Sequence, residues 1–209
     1  MMTQSNILEL KLVGSRVALR FGTHDDIPEI IAFYQKNQQF LQQFSDPRPE
    51  EHYKQLFWSQ ELDQRLVDFE KDQALRLFIF NKDTGAIIGF CNFFNFVRGA
   101  FHACYLGYGL AEKAAGKGLM MEALEQGIKY VFERLNLHRI MANYDPENYK
   151  SALLLERLGF QKEGLAKNYL YYHKRWNDHI LTALSNEAWN APQQKKPVHD
   201  QPKTHTEAL

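Results

Sequence analysis

The chain has 209 residues, 44% of them hydrophobic, which suits one domain with a buried core. Lys+Arg 25 balance Asp+Glu 25, so no overall field draws the protein to nucleic acid or to a membrane; a charged partner must be met by a local patch. The opening "MMTQSNILEL" lacks the charged-then-apolar pattern of a secretion signal, and no apolar run reaches membrane-spanning length, so a cytoplasmic protein with no membrane partner is expected.

Residues 1–14 read as a lead-in. "SRVALRF" (Ser15–Phe21) alternates as a first strand. "THDDIPEIIAFYQKN" predicts a helix: Asp25 or Asp26 can cap it, Pro28 falls in its first turn, and Ile27, Ile30, Ile31 and Tyr34 form its apolar face. Prolines interrupt "QQFLQQFSDPRP", which reads as a broken helix or loop, and Pro49–Asp72 reads as a longer helix. "ALRLFIFNK" and "AIIGFCNFFNFV", joined by "KDTG", predict a hairpin, and "GAFHACYLGYGL" a further strand. Gly118–Arg134 has Leu119, Ala123, Ile128 and Val131 near helical spacing. "HRIMANY" reads as a strand, "ENYKSALLLERLGF" as a helix ending at Gly159, and "QKEGLAKNYLYY" with "HILTAL" as a closing hairpin. From Asn190 the chain is Pro/Gln/Lys-rich without periodic apolar positions, and residues 190–209 read as a disordered tail. The order β-α-α-β-β-β-α-β-α-β-β predicts an α/β (α+β) domain over 15–189, with a central, mostly antiparallel mixed sheet of about seven strands flanked by helices. The two cysteines, Cys91 and Cys104, lie in strand-like runs and match no metal or disulfide spacing; two reduced, packed thiols and no metal are expected.

The chemistry starts from "EKAAGKGLMMEAL", Glu112–Leu124. A Walker A loop fails here, because no Gly stands at the required upstream position and Gly118 follows Lys117. A dinucleotide fingerprint also fails, because its third Gly would fall at Met121 or Glu112. What fits is a strand, a short x-x-x-G-x-G loop and a helix: Lys113-Ala114-Ala115-Gly116-Lys117-Gly118, then Leu119 and Met120. There the loop and first-turn N–H groups, aided by the helix dipole, face a pyrophosphate. A tight strand-to-helix turn with two glycines explains the same residues without a ligand.

The loop, the element order and the later segment "NYDPENYKSALLLERLGFQKEG" together resemble the GCN5-related N-acetyltransferases, whose pyrophosphate loop has the form Q/R-x-x-G-x-G/A; this chain departs only at Lys113. Within that family, "VRGAFHACYLGYG", "HRIMANY" and "LERLGFQKEGLAKNYL" resemble the branch that acetylates ribosomal-protein N-termini. The resemblance implies the family fold and acetyl-coenzyme A as cosubstrate. The acceptor it implies is the N-terminal alanine of a small-subunit ribosomal protein, alone or on the ribosome or an assembling subunit, with no nucleic-acid specificity. It implies that Tyr108, Gly109, Leu110 and Ala111 offer backbone groups to the pantetheine arm. Lys113, Ala115, Gly116, Lys117, Gly118, Leu119 and Met120 would surround the pyrophosphate, and Asn143 and Asn148 the pantetheine amides. Ser151 falls near the thiol, where it can serve the reaction or simply the first turn of its helix. Many relatives carry a Glu at the position of Tyr105; without it, Glu163 is the nearest retained carboxylate, as base or as an ordinary strand charge, and Asp145 can act through water or serve only as a turn residue.

The missing carboxylate bears on the acceptor. A protein α-amine with a pKa of about 7.7–8.0 is roughly a tenth neutral near pH 7, whereas a lysine at about 10.4 needs a strong base. A small amine acceptor, or a non-catalytic module that binds the ribosome, remains open from the residues alone. "DPRPEEHY", Asn92 and Asn95 are candidates for reading the incoming peptide.

Overall fold

The computed structural model describes residues 7–191, so most of the predicted tail and the first part of the lead-in lie outside the described residues. The described chain builds one eight-stranded sheet in the order β1-β2-β3-β4-β5-β6-β8-β7. Its strands are β1 (Lys11–Val13), β2 (Val17–Arg20), β3 (Ala74–Asn81), β4 (Ile87–Val97), β5 (Ala103–Leu110), β6 (Arg139–Tyr144), β7 (Gln161–Tyr172) and β8 (Arg175–Ser185). Every neighbouring pair is antiparallel except β5–β6. The strand beyond the expected seven is β1, three residues that hydrogen-bond to β2 through Lys11–Arg20 and Val13–Ala18 pairing. Three residues are too few to show alternation in the sequence.

The helices are α1 (Ile27–Lys36), α2 (Gln38–Leu41), α3 (Gln55–Glu70), α4 (Leu119–Glu133) and α5 (Tyr149–Arg157). At the start of α1, Asp26 turns its carboxylate back to Thr23 N (2.7 Å) and is held by Arg20 (2.6 Å), while Pro28 occupies the first turn. The long helix expected from Pro49 is split. A 3-10 turn covers Glu50–Tyr53, Lys54 is extended with ψ 144, and only then does α3 begin. The break lets the buried Trp58 indole donate to the His52 carbonyl at 2.7 Å.

The two faces of the sheet are covered unequally. On one face α4 and α5 bury Leu119, Ala123, Leu124, Val131 and Leu155 with Leu77, Cys91, Phe93, Cys104, Leu106, Ile140 and Ala142 of the strands. Each large apolar side chain buried in this way stabilises the fold by roughly 1.5–3 kcal/mol. Both cysteines are free; burial pushes the Cys91 thiol up, and the Cys104 thiol up to about 12. On the other face α1 and α3 cover only the region of β3 and β4, through Ile30, Phe33, Tyr34, Trp58 and Leu62 against Phe78, Phe80 and Ile87. Directly paired residues share a face, so Phe90, Asn92 and Phe94 of β4 lie with Gly109, Gly107 and Tyr105 of β5, at the uncovered half.

Candidate active site

The site is a wedge that follows from strand register. The parallel pair β5–β6 is bonded only from Ala103–Arg139 to Tyr105–Met141. Beyond it, Leu106–Leu110 stay paired with β4, and Ala142–Tyr144 with β8, so the two C-terminal ends have separate partners on their outer edges and none across the gap. The backbone groups of β5 that face β6 there are free to bind a ligand by β-type hydrogen bonds. By alternation these are the groups of Tyr108 and Leu110, because Ala111 N donates to the Ile88 carbonyl of β4 at 2.7 Å and Gly109 shares its side. Gly109 also tolerates no side chain: a Cβ there would come 2.6 Å from the Phe90 ring and 3.1 Å from Leu41.

A 3-10 turn (Glu112–Ala114) and an extended Ala115 lead from β5 to the glycine loop. Gly116 and Gly118 both have φ 75, the left-handed region that side chains disfavour. Gly118 occupies the N-cap position of α4, and no side chain caps that helix. The first N–H groups of a 15-residue helix therefore point outward at the positive end of its dipole, beside the wedge. Lys113, Lys117, Leu119 and Met120 flank this turn, with Leu119 and Met120 buried against the core.

Across the wedge, β6 runs into Asp145 and then α5. Asn148 accepts from Ser151 N at 3.1 Å, so its side-chain oxygen is a helix cap. Asn143 is half-buried on β6 and paired with Leu181. Asp145 is engaged twice: Glu147 N donates to one oxygen at 2.9 Å, and the Tyr172 hydroxyl donates to the other, which pins β7 to the end of β6. Burial, and then that bond, push the Tyr172 hydroxyl above its ordinary range. Glu163 is ion-paired with Arg139 and partly exposed, so its hydrogen bond goes there and not to Ser151 or Tyr105.

The side chain that faces Ser151 is Tyr108. Its hydroxyl is buried without a well-formed hydrogen bond among the described residues. Burial pushes its pKa up to about 12, while the nearby Ser151 hydroxyl pulls in the opposite direction. The family resemblance marks Tyr108 for its backbone alone; that its ring reaches the first turn of α5 depends on how far β5 and β6 splay, which no local pattern encodes. Tyr105 points to the opposite face. It stacks on Phe94 (ring centroids 6.0 Å apart) and neighbours the Tyr169 hydroxyl, whose pKa is raised by burial and then by Tyr105. His179, 4% exposed, packs on Tyr169 and Tyr172 at 5.7 and 5.9 Å between ring centroids. The Oδ1 of Asn92 on this face is buried with no partner among the described residues, and Asp46 of the proline loop accepts from His173 N at 2.8 Å. Two faces of the sheet thus meet at the wedge, one carrying hydroxyls and free amides, the other aromatic rings, Asn92 and His179.

Two site residues had no signal in the sequence, Arg16 and Glu122. Arg16 Nη1 donates to the Lys117 carbonyl at 2.9 Å, and Arg16 Nε to Glu122 at 2.9 Å, 106 residues away. Among the described residues no group of three or more His, Cys, Asp or Glu could hold a metal ion, and no helix is long and apolar enough to cross a membrane.

The comparisons with known proteins agree with this geometry. The family model of the acetyltransferase (GNAT) domain matches residues 16–161. The chain is 42% identical over 187 residues, 89% of its length, to the [ribosomal protein uS5]-alanine N-acetyltransferase of Escherichia coli, of which it covers 96%. A ribosomal-protein-S5-alanine acetyltransferase from Vibrio fischeri superposes with a TM-score of 0.83 at 35% identity, over 87% of this chain and all of that one. Mycobacterium smegmatis RimJ, solved with CoA-disulfide, gives 0.76 at 27% identity over 82% of each chain. With a wedge between parallel strands, an uncapped glycine-led helix and these likenesses along nearly its whole length, the chain belongs to the GNAT acetyltransferase family.

Proposed function

We propose that this protein transfers the acetyl group of acetyl-coenzyme A to the α-amine of an N-terminal alanine on a small-subunit ribosomal protein, as a RimJ-type enzyme of the cytoplasm. The observation that carries the reading is the gap between the ends of β5 and β6 beside the uncapped, glycine-led α4, on a chain 42% identical to the uS5-alanine enzyme. The free amides from Gly116 to Met120 would hold the pyrophosphate, the open edge of β5 and the amides of Asn143 and Asn148 the pantetheine arm. Asn148 can do so while capping α5, because capping uses only its oxygen. The acetyltransferase domain spans residues 15–189.

The coenzyme supplies a thioester, a reactive acyl donor. The protein's work is to hold it, to exclude water and to move one proton. Transfer breaks the C–S bond, forms a C–N bond, and releases one proton from nitrogen, which is the proton the departing thiolate needs. An amine that arrives neutral therefore requires no net proton exchange with solvent, only a short relay. Ser151 is suited to it: a hydroxyl donates and accepts at once. Tyr108, kept protonated by burial, is a hydrogen-bond donor to developing negative charge and not an acid strong enough to give its proton away. The acceptor would enter over the Tyr105, Phe94 and Asn92 face, where the buried Asn92 oxygen suits an incoming N–H. Glu163, held by Arg139, is left without a catalytic role in this reading.

The test is incubation of the intact small-subunit protein with enzyme and acetyl-coenzyme A, with the modified residue located by fragmentation mass spectrometry. Acetyl on the N-terminal alanine supports the reading. Acetyl on internal lysines alone, or none, contradicts it.

A further inference from the structure

Arg16 lies on the β1–β2 turn, far from the glycine loop in sequence, yet three of its groups converge there. Its backbone N donates to Glu122 Oε1 at 2.6 Å, its Nε to Glu122 Oε2 at 2.9 Å, and its Nη1 to the Lys117 carbonyl at 2.9 Å. Val17 N adds a further bond to Glu122 Oε1 at 3.2 Å. Nη2 lies against Gly118, 3.4 Å from where a Cβ would stand, so the guanidinium is packed on the turn itself. Burial alone would raise the Glu122 carboxyl, but the bonds from Arg16 and Val17 outweigh it and hold it below its ordinary range. Glu122 is therefore an anion in the first turn of α4, where the dipole also favours it, and it fixes the guanidinium in place.

Resting on the coenzyme reading above, we infer that Arg16 is a positioning residue for the pyrophosphate: by holding the Lys117 carbonyl from behind, it aims the Gly118 N–H at the phosphate and strengthens it as a donor. The physical chain is short. The peptide between Lys117 and Gly118 is planar and trans, so its C=O and N–H point in opposite directions. A carbonyl fixed on one side fixes the N–H on the other. A cation on the carbonyl oxygen draws electron density from the peptide nitrogen, and hydrogen bonds in series strengthen one another. Gly118 has φ 75, a conformation otherwise free to rotate away, so its orientation needs an external hold. The β1–β2 turn thereby becomes part of the coenzyme site without touching the coenzyme.

The experiment compares two acyl donors, acetyl-coenzyme A and S-acetylpantetheine, which carries the same thioester and arm but no pyrophosphate. Steady-state kinetics are measured for the wild type, Arg16→Ala and Arg16→Gln, with one free-alanine peptide as acceptor. The expected result for Arg16→Ala is a rise of about tenfold in KM for acetyl-coenzyme A, the size of one charge-assisted hydrogen bond. Its kcat stays within about twofold, its peptide KM is unchanged, and kcat/KM for S-acetylpantetheine is unchanged. Arg16→Gln, which keeps a donor but not the charge, falls between, and carries the same comparison if Arg16→Ala does not fold. Equal losses with both donors, or no loss with either, would overturn the inference. A wild type that used both donors equally well would overturn the coenzyme reading together with it.

Discussion

Two atoms of Ser151 have different surroundings. Its backbone N serves the helix cap, donating to Asn148, while its hydroxyl faces Tyr108. Ser151→Ala removes only the second. It should lower kcat by about 10- to 100-fold, in the range of a lost proton relay, while circular dichroism and melting temperature stay put. Unchanged thiol release would remove Ser151 from the reaction. Tyr108→Phe deletes a buried hydroxyl with no hydrogen-bond partner among the described residues, so it should not destabilise the fold and can raise its melting temperature. A falling kcat in that more stable variant would separate function from packing, and an unaltered kcat would show that the hydroxyl plays no part. At this scale, legibility followed sequence distance. The glycines are read from a local strand–loop–helix pattern, and Ser151 and Asn148 from the resemblance to the family. Arg16, Glu122 and the side chain of Tyr108 act across the fold, and nothing beside them in the chain announces it. Glu163 looked available because a charge on a strand is visible in sequence, whereas its partner Arg139, 24 residues away on another strand, is not.

Among the elements, the start of α4 and the split before α3 depend on single residues. Gly118→Ala forces a side chain into φ 75, which costs about 1–2 kcal/mol, and brings a Cβ to 3.4 Å from Arg16 Nη2. The predicted outcome is a lower melting temperature together with weaker coenzyme binding by calorimetry; unaltered affinity would mean the loop amides do not hold the phosphate. Near α3, His52 is wedged among Tyr34, Phe57 and Trp58. Burial first, and then the charges of Arg48 and Arg65, lower its pKa from 6.5 to about 4. Between those values the unfolded chain binds a proton that the folded chain refuses. The contribution of His52 to stability is therefore complete above about pH 6.5 and declines as pH drops toward 4. His52→Phe keeps the ring packing and should flatten melting temperature against pH over that window; an unchanged slope would assign the acid sensitivity elsewhere. The 3-10 turn around His52 was not visible in the sequence. Helical periodicity runs through Pro49–Asp72, and the extended Lys54 that interrupts it leaves the His52 carbonyl to the Trp58 indole.

The whole molecule is organised by one topological exception. In a sheet that is otherwise antiparallel, β5 and β6 run in the same direction and share only three residue pairs before their ends separate. Their order and type could be read from alternation and turn residues, and so could the mixed α/β class. The wedge could not, because it arises where each strand keeps its outer partner and loses its inner one. Both faces of the sheet border that gap, with hydroxyls and free amides on the α4–α5 side and Tyr105, Phe94, Asn92 and His179 on the other. Among the described residues, Asp145 is held by the Tyr172 hydroxyl and Glu147 N, and Glu163 by Arg139. That arrangement serves an amine already partly neutral near pH 7 and serves a lysine or polyamine poorly. The direct test is thiol release from acetyl-coenzyme A with a panel of acceptors: peptides with free alanine, serine or methionine N-termini, an N-terminally blocked peptide bearing lysine, and spermidine. The account predicts turnover confined to the free alanine and serine N-termini, rising with pH as the α-amine loses its proton. Turnover on spermidine or on the blocked lysine peptide alone would contradict it.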